Sequence, residues 1–334
     1  MGVLVLKSQL QAIKNSQNSY NKPHLTFQEQ IEQLKSCRLH IHNEAYAIKK
    51  LSTINYYRLS AYCLTFQYPK NSKNRDKFYP NTEFRTIIRL YDFDRHLRHL
   101  LFGAVEVIEV YIRTQIAYWH SKQYGAFGYL EEDNFHCSND DFTHVMKLIK
   151  DESKRSDEKF IKHFNKKYGT TDLPLWTVVE VLSLGTLSKL FMIMKKEDKD
   201  NICQIFGVHS TKVFQSWIHS LTIVRNISAH HSRLWNKQLR IPFKVPNKNR
   251  LFQPIAKITK KIKGEEKEFN NNGSVFFAIF VLKYMLDRIG EEIEFKDSLE
   301  LLLKAYPEIN LKAMGFVDDW QSLDIWDGME NFEV

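Results

Sequence analysis

Glycine and proline are scarce in this 334-residue chain, at 12 and 8 residues. A turn-rich β architecture draws on many more of both, so the scarcity favours helices. The four cysteines, Cys37, Cys63, Cys137 and Cys203, are scattered and form no Cys-x-x-Cys. That pattern supports neither a zinc knuckle nor a disulfide framework, and reduced thiols are expected. No Gly-rich phosphate loop and no paired-carboxylate metal site occur, so a nucleotidyl-transferring enzyme lacks its usual parts. Long apolar runs are missing too. The longest, Val275 to Leu282, stops at Lys283, far short of a membrane span, and Met1 to Leu6 is too short for a signal h-region. A cytoplasmic protein with no membrane partner, no cofactor and no metal is expected.

What the chain has in excess is positive charge, formally +9, and its distribution is uneven. Residues 1 to 80 hold twelve Lys and Arg against four acids. From Thr222 to Lys263 eleven basic residues, among them Lys237, Arg240, Lys244, Lys248 and Arg250, follow one another without a single acid. From Asp287 to Val334 the sign reverses, with thirteen acids against four bases. A basic stretch interleaved with Trp235, Phe243 and Phe252 suits a polyanion, and nucleic acid fits better than a membrane.

The organisation reads as all-α. Residues 1 to about 24 are polar and irregular, a short helix or a loose arm. Thr26 with Glu29 three residues on is a capping-box pattern, opening a helix to about Arg38 that buries Ile31 and Leu34. A second helix covers Glu44 to Leu51, followed by the segment Ile54 to Tyr62. The polar loop Pro69 to Pro80 marks a boundary between a small N-terminal unit (1–80) and a helical core (81–290), with an acidic extension at 291–334. Apolar residues at helical spacing predict a long helix or a kinked pair from Phe84 to about Ser121. One or two helices fall within 122–172. Pro174 then opens a helix from Leu175 to Lys195 with Trp176, Val179 and Leu182 on its apolar face. Phe214, Trp217, Leu221, Val224 and Ser228 mark one face of the next helix. Val275 to Ile289 reads as a final core helix and Phe295 to Ala305 as a short amphipathic one.

Thr222 to Asn236 carries the chemistry. Arg225, Asn226 and His230 stand in an Arg-Asn-x-x-x-His arrangement, with His231 and Arg233 behind. An imidazole that moves protons near neutral pH beside a guanidinium that grips phosphate bidentately suffices to break RNA without a metal. On an ideal helix Arg225 and His230 are roughly 140° apart and share no face. Either the helix bends or begins inside the motif, or two copies share one cleft across a two-fold axis. The structural alternative is a helix C-terminus where His and Arg favour the dipole and bond the last carbonyls. Adjacent histidines without spaced partners lack zinc geometry. Among supporting residues, Glu180 either holds Arg225 or lies in solvent, and Glu109 with Arg113 form an i, i+4 pair. Arg113 and His120 are better explained by packing than as a second motif. Tyr56, Tyr57 and Arg58, and in the basic stretch Trp235, Lys237, Arg240 and Lys244, are candidates to stack and grip RNA; the tyrosines equally suit helix packing.

Several segments together carry a family resemblance: Ile54 to Tyr62, Leu90 to Arg98, Ile108 to Arg113, Leu173 to Trp176, Glu180 to Ser188, Val224 to Asn236 and Met314 to Trp320. In this order they resemble the AbiD/AbiF-type abortive infection proteins of bacteria, members of the HEPN superfamily. The resemblance implies a helical-bundle ribonuclease of phage defence or a toxin-like nuclease held in check. It assigns the site to Arg225, Asn226 and His230, implies a homodimer because one motif is present per chain, and makes RNA the substrate, with a small structured RNA as a further partner. The expected products carry 2′,3′-cyclic phosphate and 5′-hydroxyl ends. The competing expectation is a non-catalytic protein that holds a structured RNA with the same residues. The acidic extension is expected to act as an internal brake that shields the basic cleft.

Overall fold

In a computed structural model, described over residues 23–262, 264–290 and 294–327, Thr26 opens the first helix as its spacing from Glu29 predicts. The Thr26 side chain accepts from the Glu29 backbone N–H while the Glu29 carboxylate accepts from the Thr26 backbone, and α1 (Phe27–Ser36) buries Ile31 and Leu34. The short helix or arm expected at 1–24 lies almost wholly outside the described residues.

The chain divides into two units, Met1–Tyr91 and Asp92–Val334. In the first, Asn43 caps α2 (Glu44–Thr53) by accepting from the Tyr46 N–H. Asn55 does the same for α3 (Tyr56–Cys63) through the Tyr57 N–H. Ala47, Leu51, Leu59 and Tyr62 join the α1 residues in a small core. The loop at 69–80 is polar except for Phe78, which is buried and bridges to Gln67. Burial pushes the Cys63 thiol up to about 12, which makes it a packing residue rather than a nucleophile.

Helix α4 (Phe84–Tyr124) runs unbroken for 41 residues, so the long helix expected from Phe84 is one piece. Within the second unit Leu97, Leu101, Val105, Ile108, Ile112 and Ile116 recur every three or four positions on α4 and are all buried. The stretch 122–172 contributes α5 (Asn139–Arg155) and α6 (Lys159–Tyr168). The single helix expected from Leu175 to Lys195 is in fact interrupted. A short α7 (Leu175–Val178) tightens into a 3-10 turn at Val179–Val181, and Leu182 is extended (φ −78°, ψ 139°). Ser183 then caps α8 (Leu184–Ile193). The break is held by Glu152 of α5, whose carboxylate accepts from the Ser183 backbone N–H at 2.7 Å and from the Ser183 and Thr186 hydroxyls. Trp176, expected on the apolar face, is exposed, whereas Val179 and Leu182 are buried.

Helix α9 (Lys196–Ile205) and a two-stranded hairpin are absent from the sequence reading. Helix α10 (Thr211–Ala229) turns Phe214, Trp217, Leu221, Val224 and Ser228 inward, as their spacing predicts. In the hairpin, β1 (Lys257–Ile262) and β2 (Glu265–Asn270) pair antiparallel with Ile262 opposite Glu265. Helix α11 (Val275–Ile289) is the centre of this unit. Every residue from Val275 to Leu286 is buried, including Lys283, whose ammonium lies 2.5 Å from the Asp287 carboxylate. A helix apolar all round belongs in the middle of a core.

The acidic extension is part of that core. Phe295 and Leu299 of α12 (Phe295–Ala305) are buried, and so are Phe316, Trp320, Ile325 and Trp326. The Phe316 ring lies 4.2 Å from that of Phe276 on α11, and the Trp326 Nε1–H donates to the Trp320 carbonyl at 2.7 Å. Residues 291–293 and 328–334, which carry four of its acids, lie outside the described residues. Among the described residues no helix is long and apolar enough to cross a membrane.

Candidate active site

The end of α10 decides what the motif can do. The helix stops at Ala229, so His230 is its C-cap (φ −86°, ψ 9°) and His231 sits in the left-handed region at φ 56°. The Ser232 N–H bonds the Ile227 carbonyl at 2.9 Å and the His231 N–H bonds the Ser228 carbonyl at 3.1 Å. This is a Schellman closure, with histidine at the position glycine usually takes. A β-carbon there costs on the order of 1 kcal/mol. Backbone N–H groups thus reach the carbonyls of Asn226, Ile227 and Ser228, and both histidines are exposed.

Arg225 and Asn226 lie one turn earlier. Asn226 is exposed and Arg225 is half-buried, with its Nη1 3.4 Å from the Asn226 Oδ1. Of the two expectations for Glu180, solvent holds: it is exposed on the turn after α7 and lines a surface depression with Phe160. Glu109 of α4 holds Arg225 instead. Its Oε2 lies 3.7 Å from the Arg225 Nε, and its Oε1 accepts from the Arg113 Nη2 at 2.6 Å. The same Arg113 nitrogen donates at 2.8 Å to the carbonyl of Leu182, the residue that breaks the expected helix. A relay thus runs from the Leu182 carbonyl through Arg113 and Glu109 to Arg225. The i, i+4 pair of Glu109 and Arg113 is therefore a buried support for the motif rather than a plain surface pair. Burial pushes the Glu109 carboxyl above its ordinary value, with Arg113 and Arg225 pulling the other way.

The backbone beyond the motif is pinned by residues the sequence reading missed. Asp94 and Arg98 of α4 are both buried and form an ion pair. Asp94 accepts from the Trp235 N–H at 2.7 Å and from the Leu234 N–H, while Arg98 donates to the Ser232 carbonyl at 3.3 Å. The i, i+4 spacing of Asp94 and Arg98 was visible; their partners more than 130 residues away were not. His120 is packed, as expected: it is buried and stacks on Phe135 at 4.9 Å.

The basic stretch does not act as one surface. Trp235, Phe243 and Phe252 are buried, so Trp235 presents no ring face to a base and belongs to the core. Lys257 pairs with Glu268 at 2.6 Å across the hairpin, and Lys261 stands opposite Glu266. Acids just beyond the run in sequence therefore fold back onto its second half. Lys237, Arg240 and Lys244 remain exposed with no ion pair among the described residues; Arg233 is half-buried and engaged. In the first unit Tyr57 is 86% exposed, whereas Tyr56 is half-buried and Arg58 lies over the Tyr91 ring with its Nε 3.3 Å from the Tyr91 hydroxyl.

Among the described residues no group of three or more His, Cys, Asp or Glu is placed to hold a metal ion. No hydrogen bond or ring contact joins the side chains of Arg225 and His230, so one copy presents the two halves of the motif separately. Searches of curated proteins and of solved structures return no match. A family model described as Abi-like protein matches residues 49–236, ending one residue past Trp235 and taking in Asp94, Glu109, Arg113 and the whole motif. The chain belongs to the Abi-like protein family.

Proposed function

We propose that this protein is a metal-independent endoribonuclease of bacterial phage defence, acting by abortive infection on a HEPN-type bundle. The observation that carries the reading is the end of α10. It presents an accessible Arg225 held by a buried carboxylate, an exposed Asn226, and two exposed histidines at the helix terminus. The left-handed His231 adds backbone strain of the kind that gathers at functional sites.

In the mechanism, the RNA 2′-hydroxyl attacks its adjacent phosphorus. His230 takes the hydroxyl proton as general base, a contribution of roughly 10² to 10⁴ in rate. The P–O5′ bond breaks, and the leaving oxygen is protonated by the second imidazole of a two-fold dimer. Arg225 stabilises the charge on the phosphoryl oxygens, and Asn226 orients phosphate or ring. A dimer supplies what one copy keeps apart, an Arg225 and a His230 in one cleft.

The test is cleavage of a labelled RNA by purified protein in EDTA. Fragments with 2′,3′-cyclic phosphate and 5′-hydroxyl ends are expected, and none where the 2′-hydroxyl at the cut is replaced by hydrogen. Cutting DNA at a similar rate would rule the mechanism out. A second reading, a non-catalytic holder of structured RNA, is favoured by the unpaired Lys237, Arg240 and Lys244. Binding with steep salt dependence and no cleavage in any condition would select it.

A further inference from the structure

The opposite end of α10 opens into a cavity that the motif does not use. It lies about 20 Å along the helix axis from Arg225 and encloses about 1080 Å³. Lys212, Lys244, Lys248, Arg250 and Arg288 line it, and Asp324 is the one carboxylate among its described lining residues. Lys212, Lys248 and Arg250 are exposed and, like Lys244, form no ion pair among the described residues. Like charges gathered without counter-charges repel one another, and an anionic ligand relieves that repulsion.

Three further features make this a built site. Ser210 precedes α10 but its side chain makes no capping bond, which leaves first-turn N–H groups and the positive end of the helix facing the cavity. Arg288 lies over the Tyr284 ring, with a buried Nε that has no hydrogen-bond partner among the described residues. The wall opposite is fixed rather than loose: the Trp217 Nε1–H donates to the Lys244 carbonyl at 2.9 Å, and the Lys244 N–H donates to the Ser216 hydroxyl at 3.0 Å.

The volume is at the upper end of small-ligand pockets, which run roughly 300 to 1000 Å³, and far exceeds a bare phosphate. Val245, Pro246 and Leu251 give the lining an apolar side next to the cations. We propose that the cavity binds a free nucleotide. Lys248, Arg250 and Arg288 take its phosphates at the start of α10, and its base lies against the Val245–Pro246 wall. The site stands apart from the ribonuclease reading, and most of its lining falls after Asn236, beyond the residues matched to the family.

The experiment is calorimetric titration of the full-length protein with ATP, GTP, CTP and UTP, and separately with inorganic phosphate and a 5′-hydroxyl RNA oligomer. At least one nucleotide is expected to bind. The Lys248→Glu/Arg250→Glu variant, altered only at exposed positions and with an unchanged melting midpoint, is expected to weaken that binding roughly tenfold or more. Arg225→Ala should bind nucleotide like the wild type, which separates this site from the motif. No binding of any nucleotide, binding of phosphate or RNA alone, or full nucleotide affinity in the double variant would each overturn the proposal.

Discussion

Glu109 is where burial and charge pull against each other. Burial raises its carboxyl above the ordinary 4.5, and Arg113 and Arg225 offset part of that rise. A carboxyl with a raised folded pKa holds its proton more tightly when folded. Its contribution to stability is therefore fully present below the unfolded value and is lost as pH rises through the folded one. A carboxyl-carbon NMR titration should place the Glu109 midpoint above 4.5, and Arg225→Met should raise it further by removing a cation that opposes the shift. A midpoint below 4.5 would mean the two guanidinium groups outweigh burial. Asp94 makes a second residue-scale case. Asp94→Ala removes the carboxylate that pairs with a buried Arg98 and accepts from two backbone N–H groups, so denaturant unfolding should show a loss of about 3–5 kcal/mol. The aromatic candidates separate by burial. Trp235→Ala should cost about 3–5 kcal/mol of stability as a core truncation. Tyr57→Ala should change stability by less than about 0.5 kcal/mol and weaken RNA binding by about 1–3 kcal/mol if the ring stacks on a base. The identities of Arg225, Asn226 and His230 were legible because they are near neighbours in sequence. The partner of Arg225 was not, since Glu109 is on another helix and nothing local distinguishes it from Glu180.

At the scale of elements, apolar spacing made several helices legible: α1 from its cap, α11 and α12 nearly to the residue, and α10 by its buried face. The break at Leu182 was hidden because apolar residues continue through it, while its cause is Glu152, some thirty positions earlier. The hairpin was hidden because both strands are rich in charge and β2 is exposed throughout, so no alternation of apolar and polar residues marks it. The acidic extension misled in the other direction. Its charge suggested a shield over the basic cleft, yet Phe316, Trp320 and Trp326 pack against α11 and one another. Truncation after Ile289 is therefore expected to expose Phe276 and give a protein that aggregates or melts well below the full chain; a truncated form with an unchanged melting midpoint would contradict this packing.

For the whole molecule, net charge overstated the surface available to a polyanion. Hairpin acids neutralise part of the basic run and burial removes its aromatics. What remains is a shorter set of unpaired cations near α10, which has the motif at one end and the basic cavity at the other. The fold arranges these around α10 by fixing its C-terminal exit with Asp94 and Arg98, and by holding Arg225 through Glu109. On this reading the exit of α10 cuts RNA. Its most direct test is induced expression of wild type, Arg225→Ala and His230→Ala in bacteria, before and during phage infection, with cellular RNA ends mapped. Growth arrest and new 5′-hydroxyl ends in the wild type, absent from both variants, are the expected result. The same ends, or none, in all three proteins under both conditions would contradict it.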